Sequence, residues 1–243
     1  MKKEEKDSRI TYPSQEPQSF TFQDLKGYLI VFEGMDGSGK TTQISKLMDY
    51  LLHKKIDSYK TNFLRLVFTK DITSVAKWKN CNPLTRSLID TLALYEEIMS
   101  NVISRLREGK IVILDRYLYT IMSRYSVRGI DEPWLRSLLS LLPKPDIVFY
   151  VKTRVETCLA RKNGEMLSYW ECGCDIYGDD PFVRECYSEK EYSSSFIKYQ
   201  TIVEEKLRGF LPSDITFVLN GESEETDIHE EIISELRCRN ILM

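Results

Sequence analysis

Eight consecutive residues, Gly34 to Thr41, form the sequence GMDGSGKT. This sequence matches the pattern G-x-x-x-x-G-K-[ST] at every fixed position. Glycines permit backbone angles and close approaches that a Cβ prevents, so the N–H groups of such a loop surround phosphate oxygens. Lys40 adds a cation beside the β- and γ-phosphates, and the Thr41 hydroxyl is a ligand for Mg²⁺. The motif predicts an ATP and Mg²⁺ site, the P-loop, made of Gly34, Met35, Asp36, Gly37, Ser38, Gly39, Lys40, Thr41 and Thr42.

The segments on either side of the P-loop support this prediction. Residues 28–33 (YLIVFE) are a continuous apolar run, typical of a strand buried on both faces. Residues 41–54 carry apolar side chains at helical spacing. A buried strand, the glycine-rich turn and an amphipathic helix are the context that this motif requires.

A second candidate group follows another apolar run. Residues 111–114 (IVIL) precede Asp115 and Arg116. An aspartate at the carboxyl end of a buried strand near the P-loop is typical of a Mg²⁺ ligand. The planar guanidinium of Arg116 is suited to bidentate phosphate binding.

Strand-like and helix-like segments alternate along the rest of the chain. We predict strands at 28–33, 63–68, 111–114, 146–151 and 215–220, and helices at 41–54, 84–108, 120–127, 132–142, 154–162, 193–208 and 226–236. Strands that alternate with helices form parallel sheets covered on both faces. The pattern predicts an α/β fold, a three-layer α/β/α sandwich, as one domain over residues 27–243.

Two segments depart from this alternation. Residues 1–26 are polar and lack an apolar period, which predicts a flexible extension. Residues 163–191 carry glycines, paired acids and aromatics without a regular period, which predicts a lid inserted in the domain. Lid closure would bring a cation to the transferred phosphoryl group, and the candidates are Arg161, Lys162 and Arg184.

Composition excludes several classes of protein. The net charge of −3 gives no sign of a nucleic-acid polymer as partner, and no apolar run approaches the roughly 18 residues of a membrane span. The charged N-terminus does not resemble a secretory signal, so we expect a cytoplasmic protein without a membrane partner. The spacing of Cys172, Cys174 and Cys186 favours free thiols over a zinc site.

Several motifs together resemble the thymidylate kinase family. They are FEGMDGSGKTTQ (32–43), ILDRYLYT (113–120), VRGID (127–131), KPDIVFYV (144–151), ETCLARK (156–162), YWECGCD (169–175) and SFIKYQ (195–200). The resemblance covers about residues 28–240 in order, and the first two motifs are its most specific part. It implies ATP-dependent phosphorylation of a nucleoside monophosphate, most simply dTMP to dTDP, and a homodimer packed through the helix at 84–108. The apolar face of that helix, Leu88, Leu92, Tyr95, Met99 and Val102, fits either this interface or the core of the same chain.

The resemblance also implies roles for individual residues. Lys40, Asp36, Arg116 and Arg161 would be catalytic, and Thr41 and Asp115 would hold the metal. The acceptor nucleotide would contact Asp36, Lys70, Tyr95, Arg116, Tyr119 and Thr120. In the family, the long helix carries a stacking phenylalanine and a base-reading arginine. This chain has Thr91 and Tyr95 at those places, and no arginine between Arg86 and Arg105.

Three functions stay open at the level of sequence. A nucleoside monophosphate kinase explains most of the motifs. A kinase of the same fold that acts on a nucleoside or another small acceptor fits the missing base-reading arginine. A nucleotide-binding module without catalysis is the third, and the intact Lys40, Thr41, Asp36 and Asp115 oppose it.

Overall fold

The fold is a parallel sheet with helices on both faces, as the alternating pattern predicts. The computed structural model describes residues 24–62, 81–162, 170–177 and 189–242, together with Phe22 and Leu167. The strands are β1 (Tyr28–Glu33), β2 (Ser58–Thr61), β3 (Ile111–Asp115), β4 (Ile147–Lys152) and β5 (Thr216–Asn220). They pair in the order β2-β3-β1-β4-β5, and every pair is parallel.

The helices lie close to the predicted segments. They are α1 (Lys40–His53), α2 (Pro83–Glu97), α3 (Ile103–Arg107), α4 (Leu118–Ser126), α5 (Glu132–Leu139), α6 (Val155–Arg161), α7 (Cys174–Tyr177), α8 (Glu189–Phe210) and α9 (Glu225–Cys238). A π-helical turn, Ile98–Val102, joins α2 to α3. Helical structure therefore continues through the predicted segment 84–108, with one π-helical turn inside it. Within the described residues, no helix combines the length and the apolar character needed to cross a membrane.

Strand periodicity divides the apolar residues between two cores. In β1, Ile30 and Phe32 face α1 and α9, whereas Leu29 and Val31 face the core formed with α2 to α5 and α8. Strands β3 and β4 alternate in the same way. Because both faces are covered, these strands are apolar at nearly every position, which is why the sequence reveals them.

The second strand differs from the prediction. The expected strand at 63–68 lies outside the described residues, as do most of 163–191 and all of 1–21. The described strand between α1 and α2 is Ser58–Thr61, with sequence SYKT. It lies at the end of the described sheet and is only half-buried, so it carries no continuous apolar run.

Glu33, the last residue of β1, holds the start of α4. The first helical N–H groups have no partner within a helix, and Tyr117 at the N-cap of α4 makes no side-chain capping bond. The Glu33 carboxylate instead accepts hydrogen bonds from the N–H groups of Tyr117 (2.9 Å) and Thr120 (3.3 Å) and from the Thr120 hydroxyl (2.6 Å). Glu33 is fully buried, and burial raises the pKa of its carboxyl although Arg116 opposes this shift. A side chain of the central strand therefore positions the helix that follows Arg116.

We predict that Glu33→Gln lowers the free energy of unfolding by about 1–3 kcal/mol, because the amide replaces one buried acceptor oxygen with a donor. Urea unfolding of the variant against the parent protein measures this change. Glu205→Gln, an exposed position on α8, is the matched control and should change stability by less than about 0.5 kcal/mol. Equal effects of the two substitutions would show that the cap contributes nothing.

Candidate active site

A cavity of about 690 Å³ opens along the carboxyl ends of the central strands. Its size is within the range of small-molecule sites, and its place is where parallel α/β sheets bind ligands. The P-loop forms one wall with Asp36, Gly37, Gly39, Lys40, Thr41 and Thr42. The remaining lining residues are Asn62, Arg86, Asp90, Asp115, Arg116, Arg124, Tyr125, Arg128, Arg161, Trp170, Glu171, Tyr199 and Gln200.

The P-loop has the backbone shape that its glycines allow. Gly37 has φ +86°, and a Cβ there would lie 2.5 Å from the carbonyl oxygen of Cys158. Gly34, with φ +144°, would bring a Cβ to 2.6 Å from the carbonyl oxygen of Val151. Both approaches are closer than a side chain tolerates, so the loop packs directly against β4 and α6 only because these residues are glycines.

Lys40 is buried beneath the loop. Its Nζ donates to the carbonyl oxygens of Gly34 (2.9 Å) and Met35 (2.6 Å) and to Ser38 Oγ (3.3 Å). Burial is the main reason that the pKa of Lys40 falls to about 8, and Arg116 lowers it further, whereas Asp36 and Asp115 oppose the shift. Phosphate oxygens would favour the charged form and raise this pKa again.

Arg116 and Arg124 converge on Asp36. Arg116 Nη2 donates to Asp36 Oδ1, and Arg124 Nη2 donates to Oδ2 at 2.9 Å. Burial alone would raise the pKa of Asp36, but the two guanidinium groups outweigh it and hold the pKa well below its usual range. Two arginine forks aimed at one carboxylate form an arrangement equally suited to a phosphate.

The backbone of Arg116 is held in an unusual conformation. Its φ is +73°, which L-residues rarely adopt. Its N–H donates to the carbonyl oxygen of Phe32 (2.9 Å), and its Nη1 donates to the carbonyl oxygen of Gly34 (2.9 Å) and to Thr120 Oγ1 (3.2 Å). These contacts fix the guanidinium between β1 and α4, so the strained backbone places it in the cavity.

Arg161 lies on the opposite side of the loop. Its guanidinium donates to the carbonyl oxygens of Ser38 (3.3 Å) and Gly221 (2.9 Å), and it lines the cavity. Lys162 instead pairs with Glu171 at 3.1 Å. Arg184, the third candidate for a catalytic cation, lies outside the described residues, as does Lys70.

Three residues predicted to contact the acceptor lie outside the cavity lining. Tyr95 does not line the cavity: its ring packs against the core, and its hydroxyl donates to the carbonyl oxygen of Leu138 (2.8 Å). Tyr119 is also buried in that core. Thr120 lies behind Arg116 and contacts it without lining the cavity.

The structure adds residues that sequence reasoning missed. Arg124 lies near the end of α4, eight residues after Arg116, and Arg86 and Asp90 are one turn apart near the start of α2. The i, i+4 spacing of a buried arginine and aspartate was the available signal. Nothing in the sequence showed that these turns face the P-loop, because that depends on how α2 and α4 pack.

Residues 170–177, part of the predicted lid, pack against α4 and α8. Arg128 donates from Nε to Asp175 (2.7 Å) and from Nη2 to Asp175 (2.9 Å) and to the carbonyl oxygen of Trp170 (3.1 Å). Cys172 and Cys174 are buried beside Phe196, while Cys186 lies outside the described residues. This part of the segment is thus attached to the cavity wall by a buried ion pair.

Known proteins resemble this chain over most of its length. The protein family described as "Thymidylate kinase" matches residues 32–173. The chain belongs to the thymidylate kinase family. "Probable thymidylate kinase 2" of Saccharolobus solfataricus is 31% identical over 212 residues, covering 86% of this chain and 94% of the relative. "Probable thymidylate kinase" of Methanocaldococcus jannaschii is 32% identical, covering 86% and 95%.

A third relative extends the agreement. "Probable thymidylate kinase" of Methanococcus aeolicus is 29% identical over 219 residues, covering 88% of this chain and 98% of the relative. The resemblance seen in the sequence motifs is therefore confirmed, and with it the α/β fold of this kinase family.

We predict that ATP binding at pH 8.5 takes up about three-quarters of a proton, the fraction of Lys40 that is neutral at this pH. The pKa of Lys40 is about 8, so the amine is mostly neutral at this pH, and the phosphates favour its charged form. ATP affinity should accordingly weaken as the pH rises from 7 to 9.5, since the protonated form binds. Calorimetric titration in buffers of different ionisation enthalpy counts the proton.

Lys40→Arg is the control for this measurement, because a guanidinium stays charged over the whole range. The variant should bind ATP without proton uptake, whatever its affinity. Absence of uptake by the parent protein at pH 8.5 would show that Lys40 is already charged before ATP binds.

Proposed function

We propose that the protein transfers the γ-phosphoryl group of ATP to dTMP, giving ADP and dTDP. One observation carries this proposal: a P-loop and a pair of converging arginines, Arg116 and Arg124, line a single cavity. The first is suited to the donor triphosphate and the second to an acceptor that already bears a phosphate. The choice of thymine as the base of the acceptor nucleotide follows from the thymidylate kinase relatives.

The donor is held by the P-loop. Its N–H groups and Lys40 bind the β- and γ-phosphates, and Arg161 approaches the same loop from α6. Thr41 and Asp115 fit Mg²⁺, because they offer hydroxyl and carboxylate oxygens in the same cavity. Mg²⁺ bound with ATP neutralises phosphoryl charge.

The acceptor phosphate takes the place that the Asp36 carboxylate occupies between Arg116 and Arg124. An oxygen of that phosphate attacks the γ-phosphorus in line, and the bond to the β,γ-bridging oxygen breaks as ADP leaves. The acceptor oxygen is already anionic, so no base is required. The positive charges of Arg116, Lys40 and Arg161 stabilise the negative charge on the oxygens of the transferred phosphoryl group. The site therefore acts by positioning the two substrates and neutralising the charge of the transferred phosphoryl group.

Turnover of a substrate panel in a coupled assay tests the proposal. We expect dTMP to give the highest kcat/KM among deoxynucleoside and nucleoside monophosphates, and thymidine to give none. Lys40→Ala, prepared in parallel, should lose turnover and so excludes a contaminating kinase. Preferred use of a nucleoside would show instead a kinase with an unphosphorylated acceptor, and a folded parent protein without any turnover would be a binding module.

We also propose that two copies of the chain associate through α2. Leu84, Leu88 and Leu92 are spaced by one helical turn each and stay 45–50% exposed. The predicted interface also included Tyr95, Met99 and Val102, but Tyr95 and Val102 pack in the core of the same chain. Burying the leucine stripe against a second copy removes apolar area from water.

We expect the parent protein to sediment as a dimer and the double variant Leu88→Glu/Leu92→Glu to sediment as a monomer. Leu52→Glu is the control, because Leu52 is 73% exposed on α1, away from this stripe. Analytical ultracentrifugation over a range of concentrations measures both. A monomeric parent protein, or a dimer that survives the double substitution, would contradict this interface.

A further inference from the structure

Two buried cysteines lie in the segment that is attached to the cavity wall. Cys172 and Cys174 are both 0% exposed and pack with Phe196 in a small apolar cluster. In the described part of the chain both are free thiols. The residues just before them, Trp170 and Glu171, line the cavity. The proposed phosphoryl transfer uses neither thiol, although the pair lies next to the site.

The residue between the two cysteines is held in a tight turn. Gly173 has φ +63°, and a Cβ at this position would lie 2.6 Å from ring atoms of Tyr199. Its N–H donates to the carbonyl oxygen of Trp170 (3.2 Å), and its carbonyl oxygen accepts from the N–H of Ile176 (2.9 Å). A glycine is therefore required here. The turn directs the side chains on either side of it into the same apolar cluster.

The two thiols contact each other and differ in acidity. A hydrogen bond from the Cys172 thiol is the main reason that the pKa of Cys174 falls; burial opposes this shift, and a hydrogen bond with Ser195 adds to it. The same hydrogen bond, together with burial, raises the pKa of Cys172. The thiolate is the nucleophile in thiol–disulfide exchange. Cys174 is therefore suited to react first, with Cys172 beside it for a second step.

We infer that Cys172 and Cys174 form a reversible thiol–disulfide site whose reaction partner is an oxidised low-molecular-weight disulfide. The Cys174 thiolate attacks one sulfur of that disulfide, and the other sulfur leaves as a thiolate. Cys172 then loses its proton and attacks Cys174 Sγ in the mixed disulfide, so the second small thiol leaves. The protein pair gives up two electrons and two protons, and the small disulfide becomes two thiols.

Access to the pair depends on the attachment of residues 170–177. Because both thiols are buried, a small disulfide reaches them only in molecules in which this segment has left α4 and α8. Arg128 opposes that release, since it donates to Asp175 and to the carbonyl oxygen of Trp170. A nucleotide in the cavity opposes it further, because Trp170 and Glu171 belong to the wall. The pair therefore reacts more slowly in the nucleotide-bound protein.

Oxidation in turn changes the cavity wall. A covalent bond brings the two sulfurs closer together than a hydrogen bond does, so residues 172–174 must change conformation. Gly173 has no room to move toward Tyr199. The change is therefore passed to Trp170 and Asp175, the two residues that Arg128 binds. The oxidised protein has a weakened wall and binds its substrates less well.

The test is incubation of the parent protein with oxidised glutathione, with or without a non-hydrolysable ATP analogue and dTMP. Alkylation followed by peptide mass spectrometry measures the rate at which the Cys172–Cys174 disulfide forms. We expect the two nucleotides to slow this rate by at least about 5-fold. Oxidation should lower kcat/KM for dTMP by at least about 5-fold, and dithiothreitol should restore it.

Two variants and a control identify the order of attack. Cys172→Ser should stop at a mixed disulfide between Cys174 and glutathione, whereas Cys174→Ser should leave Cys172 unmodified. Cys238→Ser, which removes an exposed thiol on α9, is the control and should leave the oxidation rate and its effect on kcat/KM unchanged. The measurements on the parent protein need no variant, so they decide the inference even if a buried substitution prevents folding.

Three results would overturn the inference while the proposed function stands. One is the absence of a Cys172–Cys174 disulfide under conditions that modify Cys238 completely. Another is an equal rate of oxidation with and without nucleotides. The third is an unchanged kcat/KM in the oxidised protein. If no monophosphate is turned over by the reduced parent protein, the proposed function fails, and disulfide formation and its protection by the ATP analogue still decide this inference.

Discussion

Buried positive charge beside the phosphate-binding loop is the constraint on which the site depends. Lys40 and Arg116 are almost fully buried, and a buried cation is tolerated only with acceptors or anions around it. In the structure these partners are loop carbonyls for Lys40 and the Asp36 carboxylate for Arg116. Phosphate oxygens offer the same kind of partner, so substrate binding exchanges one set of acceptors for another. The cations are fixed in advance by the fold, which keeps the reorganisation needed for catalysis small.

This exchange gives Asp36 a double effect on the acceptor. The carboxylate keeps Arg116 and Arg124 together and oriented, which preorganises them for a phosphate. It also competes with that phosphate for the same N–H groups, which weakens acceptor binding in the ground state. Interactions that form fully only during transfer raise kcat more than interactions that bind the substrate tightly beforehand. Under the proposed function, an acid at this position of the P-loop would therefore favour turnover over affinity.

The donor half of the site could be predicted from sequence, whereas of the proposed acceptor half only Arg116 could. The P-loop is a local motif: the glycines, Lys40 and Thr41 lie within eight residues, and their neighbours must be a strand and a helix. Strands β1, β3 and β4 were visible because burial on both faces makes them apolar throughout, whereas β2 was missed because SYKT is polar and only half-buried. The acceptor half is assembled from α2 and α4, whose relative packing no short motif encodes. Counting along α2 pointed to Thr91 and Tyr95, which lie outside the cavity lining, whereas Arg86 and Asp90 belong to it.

Trp170 links the acceptor wall to the segment that follows α6. Its ring lies against the guanidinium groups of both Arg86 and Arg128, and Arg128 also binds Asp175 and the carbonyl oxygen of Trp170. Breaking a buried ion pair leaves an uncompensated charge, so residues 170–175 leave α4 only at a substantial cost. The orientation of Arg86 then depends on whether this segment is attached, because no hydrogen bond to its Nε or Nη1 from the described residues fixes it. A molecule bound against Arg86 in the cavity would in turn hold Trp170 in place, so its binding and the attachment of residues 170–175 would stabilise each other.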